Sequence, residues 1–399
     1  MLKALLLENL HPHAEAILGA AGVEVDVRSG ALDESELIDA LSGVHLLGIR
    51  SKTQVTEQVL EKAPDLLAIG AFCIGTNQID LVSAAGRGVA VFNAPFSNTR
   101  SVVELALAEI IALTRRLTEK NNSLHEGVWD KSAEGSHEVR GRRLGIVGYG
   151  NIGSQLSVVA EALGMSVGFF DTADKLALGN ARRYTSLDDL LDWADVVTLH
   201  VDGRSGNAGL FGEAQFARMR PGAIFLNLSR GFLVDMEALR AHMVSGHLAG
   251  AAVDVFPEEP KKRGDEFHSE LRGLPNVILT PHIGGSTEEA QEDIGRFVAG
   301  KLRSFLETGS TTLSVNLPPL NLDQTPGTHR LAHLHRNTPG VLATVNRILA
   351  EHGVNIEGQL LNTRGELGYV VTDIPGVLSD DVLAALESMP ETVCLRQLG

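Results

Sequence analysis

The sequence predicts two α/β domains built on doubly wound parallel sheets, followed by a small α+β domain. Three observations carry that prediction. Short apolar runs alternate with helical spacing from Leu5 to Leu306, the pattern of parallel strands covered on both faces. A G-x-G-x-x-G run follows an apolar strand in mid-chain. After Leu317-Pro318-Pro319 and Thr325-Pro326-Gly327, two clusters that break helices and mark a linker, residues 327–399 read β-α-β-β-α-β.

The elements follow in order. Leu5–Leu7, Val23–Val27, Leu46–Ile49, Leu66–Ile69 and Val89–Phe92 read as buried strands. Glu15–Ala20, Glu34–Leu41, Thr56–Ala63 and Gln78–Arg87 between them carry helical spacing. A longer helix is expected from Ser101, with Ser101 as N-cap and Glu104 as its capping-box partner; Val102, Leu105, Ala106, Ile110, Leu113 and Leu117 share its apolar face. A second series begins at Gly145-Ile146-Val147 and continues with strands Ser166–Phe170, Val196–Val201, Ala223–Leu228, Gly250–Val255 and Val277–Thr280, then a helix from Thr287 to about Leu306. In the tail we expect strand His329–His335, a helix capped by Thr338 with Pro339 in its first turn, strand Asn355–Leu361, a turn at 363–366, strand Tyr369–Asp373, a helix over Asp380–Met389 and strand Val393–Gln397.

Composition narrows the function. With 34 basic and 50 acidic residues in 399, the net charge is −16, which excludes a general binder of nucleic acid or anionic membranes. Only 13 Phe, 3 Tyr and 2 Trp are present, too few for a surface that works by stacking. Cys73 and Cys394 alone make neither a disulfide framework nor a zinc site, so no metal is expected. The apolar run Ala4–Leu7 is too short for a signal peptide, and no uninterrupted apolar stretch reaches the ~18 residues of a membrane span. A cytoplasmic protein is expected.

Gly148-Tyr149-Gly150-Asn151-Ile152-Gly153 is the G-x-G-x-x-G run. It follows a strand and opens a helical pattern, and a second strand ends at Asp171. Gly148 permits the tight turn, Gly150 lets the main chain approach a pyrophosphate, and Gly153 lets helix pack on strand. The helix N-terminus offers free N–H groups to phosphate. Asp171 would accept from the ribose hydroxyls and repel a 2′-phosphate, selecting NAD over NADP.

Three polar residues follow later strand ends: Arg230 in Ser229-Arg230-Gly231, Glu259 in Asp254-Val255-Phe256-Pro257-Glu258-Glu259-Pro260, and His282 in Pro281-His282-Ile283-Gly284-Gly285. Singly, each has an ordinary explanation as a surface, loop or capping residue. Together they suit hydride transfer at a secondary alcohol. Histidine exchanges the hydroxyl proton near neutral pH, a carboxylate beside it raises its pKa, and an arginine fork holds a substrate carboxylate.

The order of these motifs resembles the D-2-hydroxyacid dehydrogenase superfamily. Phe72-Cys73-Ile74-Gly75-Thr76-Asn77 and Phe92-Asn93-Ala94-Pro95-Phe96-Ser97-Asn98-Thr99-Arg100 resemble its branch acting on 3-phosphoglycerate. The resemblance spans essentially the whole chain. It implies a flavodoxin-like substrate domain (1–98 and 285–326) interrupted by a Rossmann NAD domain (99–284), with a ferredoxin-like ACT domain at 327–399. It implies Arg230, Glu259 and His282 as the catalytic trio. Cofactor contacts map to Asn151, Ile152, Asp171, Leu228 (where the family usually has a small residue), Ser229, Arg230, Asp254 and His282 to Gly285.

The strand Leu46–Ile49 leads into Arg50-Ser51-Lys52, a basic turn. The family holds the substrate phosphate at this corner, helped by a lysine of a neighbouring subunit that matches Lys131. Cys73 nearby has no basic flank and reads as packing. In the tail, His335, Asn337 and Asn355 match the positions that bind L-serine as effector, and asparagine amides can pair with both ends of an amino acid. A homotetramer is implied. The alternatives are a dehydrogenase for another 2-hydroxy acid, such as 2-hydroxyglutarate, and an NADH-sensing binding protein.

Overall fold

The computed structural model describes residues 1–260, 264–323 and 326–398. Met1–Ser97, with the chain from Gln291 onward, forms one compact unit; Asn98–Ala290 forms a second.

The first unit opens with β1 (Lys3–Leu6), α1 (Pro12–Ala20), β2 (Glu24–Val27), α2 (Glu34–Ala40), β3 (Leu46–Ile49), α3 (Glu57–Glu61), β4 (Ala68–Ala71), α4 (Leu81–Gly86) and β5 (Ala90–Asn93). The strands are parallel in the order β2-β1-β3-β4-β5. Every residue of β3, β4 and β5 is buried, which is why these stretches read as continuous apolar runs rather than alternating ones. The short helices are started by side chains: Asp33 caps α2 in a full capping box with Glu36, and Thr56 and Asp80 cap α3 and α4. The strand order reverses between β1 and β3, so the ends of those two strands flank the place where such sheets bind ligands.

The second unit holds α5 (Thr99–Thr114), α6 (Leu117–His125), β6 (Arg143–Val147), α7 (Asn151–Ala162), β7 (Ser166–Phe170), β8 (Arg182–Tyr184), α8 (Leu187–Trp193), β9 (Val196–Leu199), α9 (Glu213–Arg218), β10 (Ala223–Asn227), α10 (Met236–Val244), β11 (Leu248–Val253) and β12 (Val277–Leu279). Its sheet is parallel throughout, in the order β12-β11-β10-β9-β6-β7-β8. This is the dinucleotide-binding order with one added strand, and its switch point lies between β6 and β9.

The long helix α11 (Glu288–Thr308) leads towards the tail: β13 (His329–Arg336), α12 (Val341–Glu351), β14 (Gly358–Arg364), β15 (Leu367–Ile374), α13 (Asp380–Glu387) and β16 (Thr392–Leu398). These strands form an antiparallel sheet ordered β14-β15-β13-β16. The side-chain period of two splits β13 between two cores. Leu331 packs with Val345, Leu349, Val382 and Leu386 of the two covering helices. Ala332 and Leu334 face the other way and join Phe92, Leu302 and Phe305 of the first unit. Buried side chains of this size contribute about 1.5–3 kcal/mol each. Polar ties reinforce the join. Arg330, 1% exposed, binds Asp373 through Nε (2.7 Å) and Nη2 (2.9 Å), and its Nη1 donates to the Thr308 carbonyl at the end of α11 (2.9 Å). Tyr369 Oη donates to the Gly309 carbonyl at 2.7 Å.

Most expected elements are present with ends shifted by no more than three residues. The exceptions have physical causes. The helix expected from Ser101 starts at Thr99, and its N-cap Asn98 makes no side-chain cap bond. Ser101 Oγ instead meets Thr287 Oγ1 at 2.8 Å, and Glu104 pairs with Arg100 at 2.6 Å, so both proposed capping groups are committed elsewhere. The helix does not reach Leu117, because Arg116 takes a left-handed φ of 51° and starts a new helix; Leu117 is exposed rather than in the apolar face. The tail helix is capped by Gly340 at φ 94°, not by Thr338, and Pro339 precedes it. Asn355 lies ahead of β14 rather than in it. β8 went unread because Arg182-Arg183-Tyr184 has no apolar run. Of the second linker cluster, Thr325 lies outside the described residues.

Candidate active site

All three residues of the expected trio belong to the second unit and follow the carboxyl ends of its strands. His282 comes after β12, with a left-handed φ of 53°. Its N–H donates to the carbonyls of Asp254 (2.9 Å) and Thr280 (3.0 Å). Its Nδ1 lies 2.9 Å from Glu259 Oε2, while Glu259 Oε1 accepts the Phe256 N–H at 3.1 Å. The carboxylate is thus anchored to its own loop and aimed at the ring. The hydrogen bond to Glu259 raises the His282 pKa above its ordinary value, against the opposing effect of burial. Burial pushes Glu259 upward, but the bond and charge of His282 prevail and leave it lowered. Arg230 lies close enough for its charge to act on both partners. Nδ1 being engaged, Nε2 is the nitrogen open to a substrate.

Arg230 sits in a turn built by its neighbours. Asn227, fully buried, accepts the Ser229 N–H at 3.1 Å and donates to the Arg230 carbonyl at 2.9 Å. Ser229 Oγ donates to the Leu199 carbonyl at 2.6 Å. Gly231 then passes so near the Phe256–Pro257 peptide that a Cβ would lie 1.9 Å from the Phe256 carbonyl carbon. Only glycine permits this approach, and it brings the Ser-Arg-Gly turn against the loop that carries Glu259.

The nucleotide fingerprint has the geometry its glycines suggest. Gly148 has a φ of 93°, and a Cβ there would be 2.6 Å from the His200 carbonyl oxygen. Gly153 is buried against the Gly148 carbonyl. Gly150 caps α7 without any side-chain bond, and a Cβ on it would meet open space. The first turn of α7, from Asn151 and Ile152, therefore has no side-chain cap from its N-cap residue, an arrangement that suits an anionic ligand. Asp171 follows β7 and accepts the N–H groups of Tyr149 and Ala173, each at 2.8 Å, so it braces the glycine loop. These residues fit a bound NAD.

Asp254 is 1% exposed. It accepts Thr280 Oγ1 (2.6 Å), the Ile283 N–H (2.8 Å) and the Gly284 N–H (2.9 Å), and so holds the loop from His282 to Gly285. Leu228 is turned into the apolar core with Leu226 and Ala252. Sequence reasoning missed Asn227, Gly231 and Glu109. Glu109 on α5 is 3% exposed with both oxygens unpartnered, and burial and the charge of Asp254 push it up to about 8. Its signal was available: a carboxyl among Ala106, Ile110 and Leu113 on an apolar helix face.

In the first unit, Arg50, Ser51 and Lys52 form the turn after β3, with Ser51 and Lys52 exposed. Cys73 packs beneath, its Sγ donating to the carbonyls of Arg50 (3.4 Å) and Gly75 (3.1 Å). Lys131 lies in an exposed stretch of the second unit. In the tail, His335 is 2% exposed, with Nδ1 2.8 Å from the Arg336 carbonyl and Nε2 buried without a partner. Asn337 bonds to the Gly365 carbonyl at 3.2 Å in the β14–β15 turn. Asn355 stands at the opposite end of β14, near Glu357. At ~3.4 Å per residue, β14 separates the two asparagines by roughly 20 Å within one chain.

The family model for the D-isomer specific 2-hydroxyacid dehydrogenase NAD binding domain matches residues 107–284, and that for an AHAS small subunit-like ACT domain matches 331–394. The fold resembles that of D-lactate dehydrogenase from Aquifex aeolicus, solved with NAD and lactic acid (TM-score 0.67, 26% identity, 76% of this chain and 95% of that one). The chain belongs to the NAD-dependent D-2-hydroxyacid dehydrogenases. It is 50% identical over 398 residues to D-3-phosphoglycerate dehydrogenase of Haemophilus influenzae, and 49% identical over 400 residues to that of Escherichia coli K12, covering all of this chain and 97% of each relative. Within the class, it belongs to the D-3-phosphoglycerate dehydrogenase family.

Proposed function

We propose that the protein oxidises 3-phospho-D-glycerate to 3-phosphohydroxypyruvate with NAD, the first step of L-serine biosynthesis, in the cytoplasm. The observation that carries this reading is the Glu259–His282 pair at 2.9 Å, beside Arg230 and at the ligand-binding end of the nucleotide sheet. Bound NAD supplies the hydride acceptor. Arg230 engages the substrate carboxylate and the C2 oxygen. His282 takes the C2 hydroxyl proton on Nε2, and Glu259 holds the Nδ1–H and stabilises the imidazolium until the proton passes to solvent. Asn151 and Ile152 bind pyrophosphate, and Asp171 faces the ribose. Ser229 and Asp254 shape the nicotinamide end.

The same reading gives the phosphate to Arg50, Ser51 and Lys52, with Lys131 of a second copy. Residues 1–98 and 285–326 then serve the substrate, 99–284 the cofactor and 327–399 the effector. Apolar exposure supports assembly around Lys131: Leu117, Leu124, Val128 and Trp129 are each more than half exposed, an arrangement that marks association surfaces. Pairing of tails is supported by the asparagines, since Asn337 and Asn355 of one chain are too far apart to hold one amino acid. A homotetramer using both contacts follows. The test compares turnover with 3-phosphoglycerate, lactate and 2-hydroxyglutarate, repeated with added L-serine. The reading expects preference for 3-phosphoglycerate and inhibition by serine that Asn337→Ala with Asn355→Ala removes. Preference for 2-hydroxyglutarate would replace the substrate; NADH binding without turnover would make the protein a sensor.

A further inference from the structure

The turn after β3 is held by a carboxylate that the reaction above does not use. Past β1 the chain reaches Glu8 (φ 64°) and Asn9 (φ 54°), two successive non-glycine residues in the left-handed region, a conformation uncommon enough to suggest a function. It turns the Glu8 side chain beneath the neighbouring strand's turn. Oε2 accepts the N–H groups of Ser51 (3.2 Å) and Lys52 (3.1 Å), and Oε1 that of Thr53 (2.9 Å). Glu8 is 8% exposed, and the three bonds offset the cost of burying its charge. From the other side, Gln78 Nε2 donates to the Arg50 carbonyl at 2.5 Å.

Three successive N–H groups converging on one anion form a nest of the kind that ordinarily binds a phosphate. Here the anion is internal. We propose that Glu8 is a positioning residue for phosphate recognition: it fills the main-chain nest of the Arg50–Thr53 turn, fixing the backbone and leaving the side chains of Arg50, Ser51 and Lys52 to take the substrate's phosphate. This rests on the reading that the turn is the phosphate site. Two consequences follow. Recognition there is by the charged and polar side chains of the turn rather than by its amides, which Glu8 already occupies. Loss of the internal anion releases three donors and lets the turn reorient, and sites lose function when their supports are loosened by about an ångström.

The test uses Glu8→Gln, Glu8→Asp and Arg50→Ala in the full chain, with steady-state kinetics on 3-phosphoglycerate and fluorescence titration of NADH. Glu8→Gln places an NH2 group against N–H donors and breaks part of the nest. It is expected to raise KM for 3-phosphoglycerate roughly tenfold, the scale of one lost charge-assisted hydrogen bond, with kcat and NADH affinity kept. Glu8→Asp retains the charge and gives a smaller rise. If Arg50→Ala raises KM and Glu8→Gln does not, the proposal is overturned while the phosphate site stands. If Arg50→Ala leaves KM unchanged, the site itself is misplaced and the proposal goes with it. A fall in kcat and NADH affinity alongside KM would make Glu8 a general scaffold residue and also overturn it. Should Glu8→Gln fail to fold, Glu8→Asp decides: raised KM with kcat kept supports positioning, and unchanged KM ends it.

Discussion

The histidine after β12 and the pair in β13 carry the same ring in opposite surroundings. His282 has a half-exposed side chain and a carboxylate 2.9 Å from Nδ1, and its pKa is raised. His333 is fully buried and shares its Nε2 with Thr392 Oγ1 at 2.9 Å, while Nδ1 has no partner. Burial, with the nearby His335, lowers its pKa to about 4. One ring has a carboxylate that favours its protonated form; the other is kept neutral as part of a packed sheet. The surroundings, a carboxylate partner for one ring and burial for the other, decide which.

The largest expected effect comes from removing the working ring. His282→Ala should lower kcat for 3-phosphoglycerate oxidation by ~10²–10⁴-fold, the usual contribution of a general acid–base group. NADH affinity should change little, because Asp254 still holds the loop amides at 283 and 284. Stopped-flow turnover and NADH fluorescence measure the two quantities. Near-normal kcat would remove the distinction between His282 and the buried rings.

A smaller effect tests whether Glu259 is what separates them. Glu259→Gln removes the group whose hydrogen bond raises the His282 pKa, so that pKa should fall. Oxidation needs the neutral ring as base, and its acid limb should therefore move to lower pH. Reduction of phosphohydroxypyruvate needs the protonated ring, and its alkaline limb should move the same way. The less basic ring should also cost about tenfold in kcat for oxidation at neutral pH. Unmoved pH profiles in both directions would show that the pair at 2.9 Å does not set the proton affinity.

The placing of the His282 side of this contrast was readable before the structure, and the reason is local. The fingerprint, the Ser-Arg-Gly turn and the Pro-His-Ile-Gly-Gly loop sit where strands end, and apolar runs mark strand ends well. Partners that meet only in the folded chain left no local mark. Glu8 bonds to residues 43 to 45 positions away, and Gly231 is explained only by Phe256. Ser101 and Thr338 had the right side chains for caps, but Thr287 and the left-handed Gly340 prevailed. His333 and His335 gave no sign of burial in sequence, because alternate His and Leu in β13 reads as one polar face when both faces are in fact covered.

The smallest effect bears on the buried side of the comparison. A ring whose folded pKa lies near 4 binds no proton at pH 5.5, whereas the unfolded chain's histidine, near 6.5, does. The unfolded state therefore gains protons first as pH falls, and stability declines between about pH 6.5 and 4. His200, its pKa also lowered to about 4 by loss of hydration, acts in the same direction from the second unit. Each ring should cost about 1 kcal/mol between pH 7.5 and 5.5. His282 has the opposite sign, since a raised imidazole stabilises the fold below its ordinary pKa and loses that contribution as pH climbs through the raised value. Thermal unfolding at pH 7.5 and 5.5 should show a lower Tm at the acid value. His333→Phe removes one titrating ring from the buried set and should narrow the gap by a few degrees, whatever its effect at pH 7.5. An equal gap in the variant would mean that His333 reaches water and titrates freely, and the division between working and structural histidines would no longer hold for the tail.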